Sequence, residues 1–170
     1  DACQRGMVDY TFLGGAQIDS YGNLNSTVVG DYKKPKVRFP GSGGANDFAS
    51  FCWRTLVITA HSAQRFVEKV DFLTTPGYLT GPGAREEAGL PRGSGPYRVI
   101  TDLGVMGFNA ETKRMQVESI HPGVTFEMIQ ESTGFEMLKA PHIEQTEVPS
   151  QSELRILREE VDPNGYLVNR

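Results

Sequence analysis

Long apolar runs are missing from this chain. None approaches the roughly 18 residues that a membrane-spanning helix needs, so no segment of these residues is expected to cross a bilayer as a helix. Cysteine is scarce as well: Cys3 and Cys52 are the only two, and no C-x-x-C spacing occurs. His61, His121 and His142 are scattered, so neither a disulfide scaffold nor a metal site is supported. Two isolated cysteines suit a reducing cytoplasm. An excess of positive charge is also lacking: 17 Lys and Arg against 21 Asp and Glu give a net charge of -4, which argues against a broad nucleic-acid footprint. The chain opens on Asp1 with no signal-peptide pattern, and it is read as having lost its beginning.

What is present is ordinary for one globular domain with a real core: 170 residues, 38% hydrophobic and 22% charged. Val8 to Leu13 form a short apolar run that stops at Gly14-Gly15, the pattern of a buried strand ending in a turn. "RTLVITA" (54–60) is β-branched without polar alternation and predicts a strand covered on both faces. Helices are predicted over "ANDFASFCW", with Asn46 or Asp47 as cap, and over "SAQRFVEKV" (62–70), with Ser62 as cap. The stretch 77–96 carries six glycines and three prolines, which excludes regular structure and leaves a mobile lid or a subunit contact. Two strands are expected at 97–109 and 114–123, joined by a turn around Ala110 to Lys113 and adding antiparallel pairing at one sheet edge. Thr125 opens a helix through "TFEMIQES". Ser150 and Glu153 make a capping-box pattern at the head of an amphipathic helix whose apolar face is Leu154, Leu157 and Val161. Helices alternating with short strands and no repeat predict an α/β fold, an open and mainly parallel sheet flanked by helices, as a single domain over 1–170.

The chemistry-bearing feature is "RFPGSGGANDF" (38–48), a bare loop running into a helix. Small residues there expose backbone N–H groups at the positive end of the helix dipole, a place that accepts a phosphate, a carboxylate or a developing oxyanion. It is not a Walker A loop, since no Lys-Ser/Thr follows, and it does not complete G-x-G-x-x-G. Tight packing alone is the other reading of such a loop. Lys33, Lys34, Lys36 and Arg38 precede it, either as a solvated run or as a phosphate-docking patch. Ser42 lacks a nucleophile-elbow frame, and Cys52 reads as core. His61, at the carboxyl end of a predicted strand, is either near a ligand or a buried hydrogen-bonding residue, and His121 reads as a turn residue. Neither Glu68 nor Glu118 has an evident partner.

The long stretch "FLGGAQIDSYGNLNSTVVGDYKKPKVRFPGSGGANDFAS", with "HSAQRFVEKVDFLTTPGYL", "YRVITDLGVMGF", "ESIHPGVTFEMIQESTGFE" and "ELRILREEVDP", resembles the B subunits of family I coenzyme A transferases, the glutaconate CoA-transferase group in particular. The resemblance implies a CoA-transferase-type fold, coenzyme A as co-substrate with no permanently bound cofactor, an A subunit as partner, and acyl-CoA and small carboxylic acids as substrates. In that family a glutamate attacks the acyl-CoA thioester, passing through an anhydride and a glutamyl-CoA. The G-x-G-G-A-x-D loop of the family falls on Gly41, Gly43, Gly44, Ala45 and Asp47, with the Gly44 N–H as oxyanion donor. Asn25 or Ser26 falls near the acyl carboxylate, and Gln64 or Arg65 near CoA. The same resemblance implies that the nucleophilic glutamate is absent from this chain. Glu87-Ala88-Gly89 has an E-x-G form but lies downstream of the glycine loop and reads as a decoy. Two other functions stay open: a related hydrolase that opens a ring in a steroid-derived CoA thioester, and a non-catalytic structural subunit.

Overall fold

A computed structural model describes residues 1–166. Its centre is a six-stranded sheet. The strands are β1 (Tyr10–Leu13), β6 (Arg54–Ile58), β7 (Gly95–Ile100), β8 (Gly104–Phe108), β9 (Met115–Ile120) and β10 (Leu138–Gln145), and they lie across the sheet in that order. β1 pairs parallel with β6, β6 with β7 and β9 with β10, whereas β8 is antiparallel to both neighbours. The sheet is therefore open and mainly parallel, and this α/β expectation holds. The antiparallel strand is interior and not at an edge, because β10 adds beyond β9. The expected 97–109 strand is two strands: the Thr101 hydroxyl accepts the N–H groups of Leu103 and Gly104 and turns the chain there.

Two short hairpins lie apart from this sheet. One pairs β2 (Gln17–Ile18) with β3 (Leu24–Asn25), and the other pairs β4 (Val28–Gly30) with β5 (Pro35–Arg38). The basic run thus sits partly on a strand, with Lys33 and Lys34 in a turn whose N–H groups donate to Asp31. Helix α1 (Ala45–Phe51) follows the glycine loop. Asn46 and Asp47 fall inside its first turn, so neither caps it; the Ser42 hydroxyl accepts the Asn46 N–H instead. No helix forms over 62–70. Ile18 takes the carbonyl of Arg65 and offers its own to Val67, so tertiary pairing consumes backbone groups that a helix would use. Helix α2 (Ala84–Glu87) shows that 77–96 does hold regular structure. Helix α3 (Phe126–Glu131) is capped by Thr125 accepting the Met128 N–H. Helix α4 (Gln151–Ile156) carries the expected capping box and runs into a π turn, Leu157–Val161. Its apolar residues find no core: none of α4 is buried.

The core lies on one side of the sheet. Val57, Val99, Met106, Met115 and Val117 pack against Ile18, Phe66, Ile129 and Phe135. The other side is different. β6 alternates, with Thr55 and Val57 buried and Ile58 55% exposed, so it is not covered on both faces as expected. Tyr10 and Phe12 of β1 are 58% and 66% exposed beside it. Among the described residues, no helix is long and apolar enough to cross a membrane.

Candidate active-site groove

β1 and β6 are parallel neighbours, and both end on the same edge of the sheet. Their continuations, Gly14-Gly15-Ala16 after β1 and Ser62 to Arg65 after β6, form two walls of a groove of about 910 Å³. The third wall is the β4/β5 hairpin with Phe39, Pro40 and Gly41. Carboxyl ends of parallel strands are where ligands of open α/β sheets collect, because backbone and loops there leave a crevice. Arg65 ties the walls together: its Nη1 donates to the Gly15 carbonyl at 2.9 Å and to the Thr59 hydroxyl at 3.4 Å.

The lining has a definite electrostatic character. Arg65 and Lys36 bring two cations, and no Asp or Glu lines the groove. Neither cation forms an ion pair among the described residues. Ser26, Ser62 and Gln64 add polar groups, and Val29, Val37 and Phe39 give one apolar side. Such a trough suits an anion attached to an apolar body.

The structure brings together Ser26, Gly41, Gln64 and Arg65 of the eight predicted binding residues. Asn25 is a correction. It is fully buried, its Nδ2 donating to Gln17 Oε1 (2.7 Å) and the Val28 carbonyl (2.6 Å) while its Oδ1 accepts the N–H groups of Thr27 and Val28. Every polar valence of its amide is spent on folding the β3–β4 turn, so it has nothing to offer a ligand. Ser26 next to it keeps an oxygen on the groove, its hydroxyl donating to the Gly41 carbonyl at 3.1 Å.

The glycine loop is split between two jobs. The Gly41 N–H donates to the Ser26 carbonyl and the Ala45 N–H to the Ser42 carbonyl, so neither of these amides is open to substrate. The N–H groups of Gly43 and Gly44 donate to no acceptor among the described residues, and both glycines are exposed. Gly44 borders a second hollow of about 400 Å³ with Cys3, Phe48 and Phe51, not the groove itself. Gly43 has φ +51°, a left-handed conformation that favours glycine, whereas Gly44 sits at φ −85°, ψ −3°.

His61 resolves toward the buried reading. Its ring stacks on Phe66 with centroids 3.8 Å apart, and its nitrogens meet the hydroxyls of Thr101 (3.2 Å) and Thr133 (2.9 Å). Burial disfavours the imidazolium and pulls its pKa down to about 4, against a smaller opposing pull from Asp102. His121 bonds the Thr146 hydroxyl and the Thr101 carbonyl and holds the turn after β9. Cys52 is buried, as expected. Glu118, without an evident partner in the sequence, pairs with Arg98 at 2.9 Å across β7 and β9. Among the described residues no group of three or more His, Cys, Asp or Glu is placed to hold a metal ion. Ser62, on the chain after β6, and the Val29–Val37–Phe39 side were not anticipated as lining; the apolar side is recruited by the tertiary approach of the β4/β5 hairpin.

The class the structure defines is an open, mainly parallel α/β sheet with a cationic, acid-free crevice at its strand ends. Comparison makes that specific: the Coenzyme A transferase family model matches residues 2–132, and the chain belongs to that family. It is 45% identical over 157 residues to the B subunit of glutaconate CoA-transferase from Acidaminococcus fermentans, covering 92% of this chain and 58% of that protein. A crystal structure of the glutaconate coenzyme A-transferase of the same organism superposes with a TM-score of 0.90 at 43% identity, over 95% of this chain and 61% of that one. The chain is 44% identical over 155 residues to the B subunit of 3-oxoadipate CoA-transferase from Pseudomonas knackmussii (91% of this chain, 59% of that protein). It is 31% identical over 162 residues to the cholesterol ring-cleaving hydrolase IpdB subunit of Mycobacterium tuberculosis (92% and 61%). The chain thus spans about three fifths of the length of the curated relatives it matches.

Proposed function

We propose that these 170 residues are part of the B subunit of a CoA-transferase that moves CoA from an acyl-CoA to a small dicarboxylic or oxo acid, working with an A subunit. The observation that carries this is the groove at the ends of β1 and β6, with two cations that form no ion pair among the described residues and no carboxylate on its lining. Arg65 and Lys36 hold negative groups of the substrate, and Ser26 and Gln64 orient its polar atoms. The Gly44 N–H, with Gly43 beside it, receives the oxyanion that forms when the thioester carbonyl is attacked. The attacking glutamate is contributed from outside these residues. Glu87 is no substitute, since it lies on α2 and does not line the groove.

In this scheme the glutamate oxygen adds to the thioester carbon and CoA thiolate leaves. The thiolate then attacks the glutamyl carbonyl of the anhydride, which frees the first acid. The second acid reverses the sequence. The acyl group stays activated throughout, so no ATP is consumed. Identity to the IpdB subunit favours a second reading, in which water replaces the glutamate and a ring is opened. One experiment separates them: the full subunit and its A partner are incubated with acyl-CoA alone, followed by intact mass measurement. Transfer leaves a CoA adduct on a glutamate, and exchange appears when a second acid is added. A pair that shows neither adduct nor exchange overturns the transferase reading.

A further inference from the structure

Arg85 is a buried charge that the proposed reaction does not use. It is 2% exposed, and it makes no ion pair among the described residues. Its Nη1 donates to the carbonyls of Pro76 (3.1 Å) and Gly77 (2.8 Å). Its Nη2 donates to the carbonyls of Ala49 (3.1 Å) and Ser50 (3.4 Å) and to the Ser94 hydroxyl (3.0 Å). These bonds explain why the glycine-rich stretch 77–96 is folded around it. They leave one donor over: the buried Nε–H has no acceptor. An orphaned donor on a buried cation costs more than one on a neutral group, and a group that pairs it is correspondingly favoured.

Arg85 lines a small chamber of about 90 Å³ together with Tyr78, Gly83, Gly93, Ser94 and Lys113. That is about three waters' worth of space. Lys113 also forms no ion pair among the described residues, and its ammonium lies 5.5 Å over the Tyr78 ring. The amides of Gly83 and Gly93 donate to no acceptor among the described residues. Glu86 is the single acid on the lining, so the balance of charge there is positive.

We propose that this chamber is a binding site for a small oxyanion, of inorganic phosphate or carboxylate size, held by the Arg85 Nε–H and the Lys113 ammonium. The site is separate from the groove, with which it shares no lining residue. An anion there compensates the unpaired guanidinium and locks the 77–96 loop against α1, because Arg85 bridges the two.

The test is thermal unfolding of the protein titrated with inorganic phosphate and, in a second arm, with acetate, at ionic strength held constant with chloride. A saturable rise of a few degrees is expected with one of the two, and the arm that saturates tells a tetrahedral from a planar ligand. Lys113→Asn, which keeps a residue tolerant of the φ +60° at that position, raises the half-saturating concentration about tenfold. Glu86→Gln, on an exposed side chain, lowers it several-fold. The Arg85 Nε–H resonance shifts along the same curve in the unaltered protein. If that resonance stays in place and contacts only water, the chamber is a water site and the proposal fails. It fails equally if the melting shift is unsaturable and unchanged in Lys113→Asn, which identifies an adventitious ion only.

Discussion

Replacing Gly44 with valine isolates the oxyanion role from folding, because of where the structure puts this residue. Its φ of −85° and ψ of −3° lie in the helical region, so a side chain meets no backbone penalty. A Cβ built there comes within 3.2 Å of Phe48 Cε2 and 3.6 Å of Cδ2. That ring is 39% exposed and can swing into solvent. The folding cost is therefore that of an ordinary surface change, about 0.5 kcal/mol or little more, and a melting shift of a few degrees at most. The catalytic cost is of another size. The valine branches stand over the one amide assigned to the developing negative charge, and losing such a donor lowers kcat by about 100- to 1,000-fold, or about 3 to 4 kcal/mol. The measurement is CoA exchange between two acyl donors by the full subunit with its A partner, alongside a melting curve. Gly43→Ala is the contrast: its φ of +51° makes even a methyl costly, by about 1 to 2 kcal/mol, though nothing stands within 4 Å. If Gly44→Val melts normally and exchanges CoA within threefold of the parent, the Gly44 amide does not hold the oxyanion.

Arg65→Gln is expected to raise KM for acyl-CoA about tenfold or more with a smaller change in kcat, since the residue binds rather than reacts; steady-state kinetics on the assembled enzyme checks the split. Asn25→Ala should destabilise by about 2 to 3 kcal/mol in denaturant unfolding, because it strands the buried carbonyl and N–H of Val28 and the half-buried Thr27 N–H, while Gln17 Oε1 keeps the Asp71 N–H. His61 gives a pH signature. Its folded pKa of about 4 lies below the unfolded value of 6.5, so the unfolded chain binds the extra proton in that window. Stability is fully present above pH 6.5 and falls toward pH 4 with a slope approaching about 1.4 kcal/mol per pH unit from this group, and His61→Gln should flatten that part of the profile. Thr125→Ala should cost about 1 kcal/mol through loss of the cap on α3, read in a melting curve.

Local signals carried far in this chain, and long-range ones did not. Thr125 and the Ser150–Glu153 box announced their helices because capping is settled within four residues. β1 and β6 were visible as apolar runs, and the glycine loop as a break before α1. The helix expected over 62–70 failed because Ile18, more than forty residues upstream, pairs with that backbone. The order of β8, β9 and β10 depends on which strand reaches which edge, and no local pattern encodes that. At the groove, Ser26, Gly41, Gln64 and Arg65 were legible through family resemblance, yet Asn25 and Ser26 could be told apart only by burial: one points into the fold, the other out of it. Arg85 gave no sign at all in the sequence, since a single arginine amid glycines reads as surface.

Tyr10, Phe12 and Ile58 stand side by side on the bare side of the sheet, on parallel strands of a kind that water rarely touches. Purified by itself, the 170-residue chain should therefore bind hydrophobic dyes while fully folded and should self-associate as concentration rises. Dye fluorescence and clumping in such a preparation then measure how much of this plane is left naked, and they are no guide to misfolding.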